Sequence, residues 1–589
     1  MKNASLVVTV LTVSATLTAL TSCSDDKEPA RSNVDSLGGD PMAGGNSAMM
    51  PGQSAGAAPG PEMAMAGPGA TEGPPASVSL QGPAGPGGMP GAGQPRPPVM
   101  AVACDESTVG GSSPNTLSVN VSAAQQPVGK ELFGVLMETL GRDVNGGLYV
   151  GRTSPIPNTD GLRDDIVQGF VEAGVGIVQW PGGCAANNYN WAPNTNPTNT
   201  MGTDLFMQFV QTIGAEPYLT GRPNAANAQS NADWVRYIND NPEHPEWNLR
   251  YFKVGNEVWG CGGNQVQATY ETNYNANYAL LSQPVNGKPL YIVAGTDLIG
   301  RNNNAWMDTM IPNLGGRMDG VEIHDYLYFP DSIPNVGFSD AQYYDIVNRA
   351  NRGQIGPRIE QLVSILDRRD PEKKIKIVED EWGDWLLGFN EAQDAWTQQG
   401  TVMDAVSAAE HLHLFMSHAD RIQAAALAQP INVIHSLFVT RASDGALVKT
   451  STFYVFKMLA PHHTANARWA PNTLSSENIQ GNNTSFPVLS SGATVDDTGG
   501  VNISLVNVDL VNSRSVDIKL ETDTTSYVVS SAQVITGDAK DAFNDFGQPE
   551  RVNAQPLVAS SFQACGRSLS VALPPKSVVM FRLEPVPPQ

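Results

Sequence analysis

Between Leu132 and about His463, short apolar runs alternate with stretches whose apolar residues recur at helical spacing, the pattern of repeated β/α units around a parallel sheet. Eight runs read as strands: Leu132–Met137, Gly176–Val178, Glu216–Leu219, Leu249–Val254, Tyr291–Ala294, Gly320–Ile323, Ile375–Val378 and Ile422–Leu427. Eight such units predict an α/β fold, a (β/α)8 TIM barrel. Between them, Leu205, Phe206, Phe209, Val210 and Ile213 fall on one face of a helix over Asp204–Ile213, capped by Thr203 and stopped by Gly214. Ile166, Val167, Phe170 and Val171 make an equivalent stripe ahead of Gly174, and both faces read as core packing. From Thr464 the period shortens to two. Val501–Val508, Ser515–Leu520, Tyr527–Ile535 and Leu569–Leu583, separated by Asn, Asp, Gly and Ser, predict a C-terminal all-β sandwich. Leu117–Val121 alternates in the same way, and because a lone strand is not stable alone it is predicted to join that C-terminal sheet.

The N-terminal stretch follows neither pattern. Lys2 precedes an apolar run from Leu6 to Leu20 that is too short to span a bilayer and ends in small residues, so residues 1–22 read as a secretory signal. Leu20-Thr21-Ser22-Cys23 resembles the bacterial lipobox, which implies cleavage before Cys23, lipidation of its thiol, and an exported lipoprotein held to a membrane in the periplasm or at the cell surface. Residues 23–103 are mostly Gly, Pro, Ala, Ser and Met and cannot bury enough surface to offset ordering, which predicts a disordered tether. Its glycines keep no three-residue period, which excludes a collagen-like helix. The predicted organisation is therefore signal peptide 1–22, tether 23–103, a strand segment 104–131 that joins the β domain, the barrel 132–463, and the β domain 464–589.

Charge narrows the partners. A net charge of −23 over 589 residues repels nucleic acid and polyanionic substrates, whereas a neutral sugar polymer is indifferent to it. Cys104, Cys184, Cys261 and Cys565 have no C-x-x-C type of spacing, so no metal site and no cofactor is expected. Four cysteines allow three full pairings. Cys104 lies just ahead of the lone upstream strand and Cys565 within the terminal β region, so these two are expected to bond, with Cys184 and Cys261 left free.

Candidate chemistry sits at the strand ends. Glu138, Gln179, Glu257, His324, Glu381 and Gln429 each lie at or just past the end of a predicted strand, where barrel side chains converge on the C-terminal mouth. The run Tyr251-Phe-Lys-Val-Gly-Asn-Glu257 delivers Asn256 and Glu257 into a Gly-rich loop, and Lys374-Ile-Lys-Ile-Val-Glu-Asp-Glu381 delivers a second carboxylate in the same way. Paired carboxylates across a cleft are the means by which glycosidases cleave sugar acetals.

Eight segments, in register and in order, resemble glycoside hydrolase family 51, the α-L-arabinofuranosidases: Leu136-Met-Glu-Thr-Leu-Gly-Arg142, Trp180-Pro-Gly-Gly-Cys184, Gly202-Thr-Asp204, Gly214-Ala-Glu-Pro-Tyr218, Gly255-Asn-Glu-Val-Trp-Gly-Cys-Gly-Gly263, Asp380-Glu-Trp-Gly383, His418-Ala-Asp-Arg421 and Gln429-Pro-Ile-Asn-Val433. The resemblance runs from about Leu117 to the C-terminus. It implies an exo-acting retaining hydrolase that removes terminal arabinofuranosyl residues from hemicellulose or oligosaccharides, with Glu257 as acid/base and Glu381 as nucleophile. It further implies that Asn256 donates to the sugar 2-hydroxyl, that Glu138 clamps furanose hydroxyls, and that His324 and Tyr326 orient the two glutamates. Gln429 becomes a further sugar contact, and Cys184 lines the arabinose pocket. Trp385, just past the nucleophile, suits stacking on a sugar face and equally suits a core. The family also favours a homo-oligomer. One position departs from the family: Gln179 stands where an Arg usually precedes Trp-Pro-Gly-Gly, which removes a fixed positive charge near the nucleophile. The acid limb of the rate profile is then expected at higher pH than with Arg, unless another cation such as Arg142 fills the place. Two other readings stay open: a retaining hydrolase of another glycoside, such as a β-glucan or xylan, and a carbohydrate-binding lipoprotein with a degenerate site.

Overall fold

The computed structural model describes residues 104–192, 200–298, 303–328, 333–386, 396–481 and 483–586. Cys23, the signal and the tether lie outside these residues. No helix among the described residues is long and apolar enough to cross a membrane.

Eight strands close a barrel: β1 (Gly134–Glu138), β2 (Ile177–Gly182), β3 (Glu216–Gly221), β4 (Tyr251–Val254), β5 (Tyr291–Ala294), β6 (Gly320–Tyr328), β7 (Lys376–Trp385) and β8 (Ile422–Ala428). Every neighbouring pair, including the closure of β8 on β1, is parallel. All eight predicted runs are barrel strands. The structure extends β2, β6 and β7 past the apolar runs, because their ends still pair with neighbouring strands. Helix Thr203–Ile213 forms with Gly214 in the left-handed conformation at its end, as the sequence predicts. Its cap differs: Gly202 is the N-cap, and Thr203 is the first helical residue, with its hydroxyl accepting from Trp234 Nε1 at 3.1 Å.

Two sheets build the C-terminal domain. A five-stranded sheet runs Asn472–Ser475, Thr116–Asn120, Arg514–Glu521, Ser568–Leu573, Phe562–Cys565, so the upstream strand does join the C-terminal region, parallel to Arg514–Glu521. Leu117 and Val119 are buried while their neighbours are not, the alternation that identified it. The expected Leu569–Leu583 strand is instead two strands, Ser568–Leu573 in this sheet and Ser577–Val586 in the seven-stranded one. Pro574 and Pro575 separate them, since proline cannot donate to a ladder. Helix Val402–Ser417 is buried along nearly its whole length, because it lies between the barrel strands and the seven-stranded sheet. His413 on this helix bonds Ser490 and Ser504 of that sheet. The Cys104–Cys565 disulfide is present, with Cα atoms 5.9 Å apart.

Candidate active site

The barrel interior is layered. Ile177, Tyr218, Tyr251, Val293, Val378 and Ala424 form one apolar cluster. Two residues further along their strands come Gln179, Thr220, Lys253 and Asp380, which with Glu322 are fully buried polar groups. Asp380 Oδ1 accepts from Tyr218 Oη at 2.7 Å, and Oδ2 accepts from Gln179 Nε2 at 2.9 Å and from Lys253 Nζ. Lys253 also pairs with Glu322 Oε2 at 2.8 Å and donates to Asn256 Oδ1 at 2.8 Å. Burial alone would neutralise both ions, but their mutual attraction outweighs it: Asp380 is held well below the usual carboxylate range and Lys253 above the usual lysine range.

Above this layer the two carboxylates meet. Gly255 ends β4 at φ 88°, where a Cβ would lie 2.6 Å from Pro223 Cβ, so only glycine makes this exit from the strand. Glu257 follows at φ 44°, a left-handed conformation uncommon for a non-glycine residue and typical of strained functional positions. On β7 the register slips by one residue: His324 pairs with Glu381 where Ile323 pairs with Glu379. Strict alternation would send Asp380 and Glu381 to opposite faces, and the bulge lets both reach interior partners. Carboxylate oxygens of Glu257 and Glu381 and a ring nitrogen of His324 all lie within 4.8 Å of one another. His324 Nδ1 is 3.5 Å from Glu257 Oε1 and 3.3 Å from Glu381 Oε2, and its Nε2 is 3.5 Å from Asp380 and 3.7 Å from Glu322. Tyr326 Oη donates to Glu381 Oε2 at 2.9 Å. Glu381 Oε1, also buried, has no hydrogen-bond partner among the described residues.

This crowd of acids sets the proton inventory. Burial pushes His324 down, but Glu381 first, then Asp380, Glu257 and Glu322, pull it well above the usual imidazole range. With both ring nitrogens protonated, His324 is a donor on each side, towards Glu257 and Glu381 through Nδ1 and towards Asp380 and Glu322 through Nε2. Burial pushes Glu257 up, and the hydrogen bond and charge of His324 outweigh this and hold it below its usual value. Glu138, at the end of β1, is pushed up to about 8 by burial and then by the charge of Glu381, against the Gln429 hydrogen bond. Gln429 Nε2 donates to Glu138 Oε2 at 2.6 Å. Gly183 lies against the other oxygen, where a Cβ would stand 1.6 Å from Glu138 Oε1. Asp143 bonds the backbone N–H groups of both Glu138 and Ile431, which ties the β1 end to the loop after β8.

The structure thus gathers Glu138, Asn256, Glu257, His324, Tyr326, Glu381 and Gln429 at one mouth. Trp385, half-buried, packs edge-on to Tyr326 with centroids 5.4 Å apart, and also against Trp396. Three expectations change. Cys184 and Cys261 are not free: they are bonded to each other, Cα atoms 5.6 Å apart, because the loops after β2 and β4 converge over the mouth, a proximity that a separation of 77 residues hides. Their sulfurs lie 3.8 and 3.5 Å from Glu257 Oε2, contacts without an S–H donor. Gln179 touches Asp380 and Thr220, one layer beneath Glu381, and is not bonded to the nucleophile candidate itself. A positive charge does stand in this lower layer, on Lys253 against Asp380 and Glu322, whereas Arg142 bonds Thr440 outside this cluster. Lys253, Asp380, Glu322 and Tyr218 were not singled out in the sequence. The available signal was Lys253 itself, a lysine inside the otherwise apolar strand Tyr251–Val254.

Comparison with known proteins places this geometry. Residues 380–577 match the family described as the alpha-L-arabinofuranosidase C-terminal domain. A Bacteroides ovatus protein named intracellular exo-alpha-L-arabinofuranosidase is 28% identical, the match covering 80% of this chain and 95% of that one. The crystal structure of the GH51 arabinofuranosidase from Xanthomonas axonopodis pv. citri superposes with a TM-score of 0.73 at 27% identity, over 80% of this chain and 99% of that one. A Bifidobacterium longum family 51 α-L-arabinofuranosidase, at 22% identity and a TM-score of 0.70 over 80% of this chain and all of that one, shares the fold.

Proposed function

We infer, from its place in glycoside hydrolase family 51, that this chain is an α-L-arabinofuranosidase that removes terminal arabinofuranosyl residues with retention through Glu257 and Glu381. The observation that carries the assignment of residues is the approach of the two carboxylates, with oxygens within 4.8 Å at the ends of β4 and β7. Retaining sites hold the pair about 5–5.5 Å apart, and inverting sites leave about 6.5–9.5 Å for a water.

Glu381 Oε2 is held by Tyr326 and His324, which leaves Oε1 to attack the anomeric carbon. As the Oε1–carbon bond forms and the glycosidic bond breaks, Glu257 gives its proton to the leaving oxygen. In the free site that proton rests with His324, beside Glu257. A bound sugar excludes water and raises the cost of the charged His324–Glu257 pair, which favours the neutral pair and loads Glu257. In the second step Glu257 takes a proton from water, whose oxygen attacks the same carbon and releases Glu381. Glu138, protonated near neutral pH, and Gln429 hold the furanose hydroxyls, and Asn256 donates to the hydroxyl next to the reacting carbon.

The substrate is an arabinofuranosyl-bearing oligosaccharide or hemicellulose chain. Export with lipidation at Cys23 is supported by the Leu20-Thr21-Ser22-Cys23 segment and by the pairing of all four cysteines outside it, an arrangement that suits an oxidising compartment. A panel of aryl glycosides tests the function: hydrolysis of the α-L-arabinofuranoside supports it. Turnover restricted to glucosides or xylosides, or binding without turnover, overturns it.

A further inference from the structure

We propose that Lys253 is a positioning residue that fixes the side-chain amide of Asn256 so that its NH2 group, and not its carbonyl, faces the substrate. The argument rests on the reading of the site given above. Lys253 is fully buried, in the middle of the barrel interior, and reaches three acceptors from three strand ends: Asn256 Oδ1 just past β4, Glu322 Oε2 on β6, and Asp380 Oδ2 on β7. An ammonium has three N–H donors and no acceptor, so these three partners satisfy it completely.

The consequence falls on Asn256. An amide has two ends of almost equal shape and opposite hydrogen-bonding character, and a neighbour that can only donate selects between them. With its oxygen facing Lys253, the Asn256 amide must send Nδ2 the other way, and Nδ2 is buried without a hydrogen-bond partner among the described residues. The backbone cannot relieve this by turning, because Asn187 bonds both sides of the residue: its Oδ1 accepts from Asn256 N at 2.9 Å and its Nδ2 donates to Asn256 O at 3.0 Å. A buried donor without a partner is costly, and a native site keeps one where a ligand completes it. The position next to Glu257 makes that ligand the hydroxyl adjacent to the anomeric carbon, whose hydrogen bond strengthens in an oxocarbenium-like transition state.

The remaining groups around Lys253 secure it. Asp380 and Glu322 supply opposing charge, Gln179 and Tyr218 donate to Asp380, and His324 lies against both carboxylates. None of the other groups bonded to Asp380 reaches Asn256, so among the described hydrogen bonds the link from this charged layer to Asn256 passes through Lys253 alone, while His324 links the same layer to Glu257 and Glu381.

Lys253→Met keeps the stem and removes every donor. Its kcat on an aryl α-L-arabinofuranoside should fall about 100-fold, the scale seen when one donor to a transition state is lost. On the corresponding 2-deoxy furanoside, which has no hydroxyl for Asn256 to hold, the loss should stay within about 5-fold of the wild type. In an Asn256→Ala background the same Met substitution should add little, because the two act as one unit. If Lys253→Met does not fold, Lys253→Leu, which also lacks any donor, takes its place in the same comparisons. Equal losses on the hydroxyl-bearing and deoxy substrates, or fully additive losses with Asn256→Ala, would overturn the proposal. A wild type inactive on every arabinofuranoside would instead remove the functional reading on which it rests, so the two failures are distinct.

Discussion

Replacing Glu138 by Gln tests whether a third acid in the mouth is neutral in the folded state. Burial first, then the charges of Glu381 and Glu257, raise Glu138 from 4.5 to about 8, with Gln429 and His324 opposing. In the unfolded chain the group ionises near 4.5; in the folded chain it keeps its proton until about 8. The stability it contributes is therefore complete below the lower value and is lost as pH rises through the upper one. A displacement of that size would amount to about 5 kcal/mol for a group wholly removed from water. Glu138 is half-buried and shares its field with Glu381, Glu257 and His324, which brings the expectation to about 2 kcal/mol. Gln copies the protonated carboxyl and cannot ionise. Denaturant unfolding of both proteins from pH 5 to 9 should show the stability gap moving in favour of the Gln variant by about 2 kcal/mol between pH 5 and 8, then levelling. A gap that stays constant across this range would refute the reasoning, because it would mean that Glu138 ionises at its ordinary pH in both states.

Other substitutions separate the remaining roles. Glu257→Ala should slow substrates with poor leaving groups by about 10²–10⁴-fold and activated aryl substrates far less, since only the former need the proton. Added azide should then give the retained glycosyl azide, and equal losses on both substrate types would remove Glu257 from the role. Glu381→Gln should reduce turnover by at least about 10³-fold while calorimetry still detects substrate binding, because the nucleophile acts after the sugar is seated; residual turnover near wild type would exclude it. Cys104→Ser with Cys565→Ser should cost about 2–4 kcal/mol of unfolding free energy by releasing a long loop in the unfolded chain. Kinetics on aryl substrates should be unchanged, and a selective loss of activity would contradict a purely structural bond.

The sequence was most legible where one short run decides the answer. The eight strands were visible because each carries a compact apolar run, and the glutamates stood out because they interrupt such runs at their ends. Alternation over Leu117–Val121 also pointed to the strand that forms at Thr116–Asn120, and its partners lie hundreds of residues away, in Arg514–Glu521 and Asn472–Ser475. What stayed hidden depends on the third dimension. The bulge at Asp380 breaks the period of two, so the sequence gives no sign that adjacent acids share a face. The Cys184–Cys261 bond depends on how two loops converge. Lys253 passed unremarked within its short run, and its meaning appears only when β6 and β7 bring Glu322 and Asp380 to it. The absence of Arg at Gln179 was readable, but the buried Lys253 that β4 brings to the same carboxylate, Asp380, was not.

The central claim is a double displacement in which Glu381 attacks and Glu257 handles the proton, and the stereochemistry of the first product tests it most directly. Proton NMR of the wild type acting on an aryl α-L-arabinofuranoside in the presence of methanol traps the sugar before it can mutarotate. The account predicts methyl α-L-arabinofuranoside, with configuration retained; accumulation of the β-anomer as the first product would contradict it.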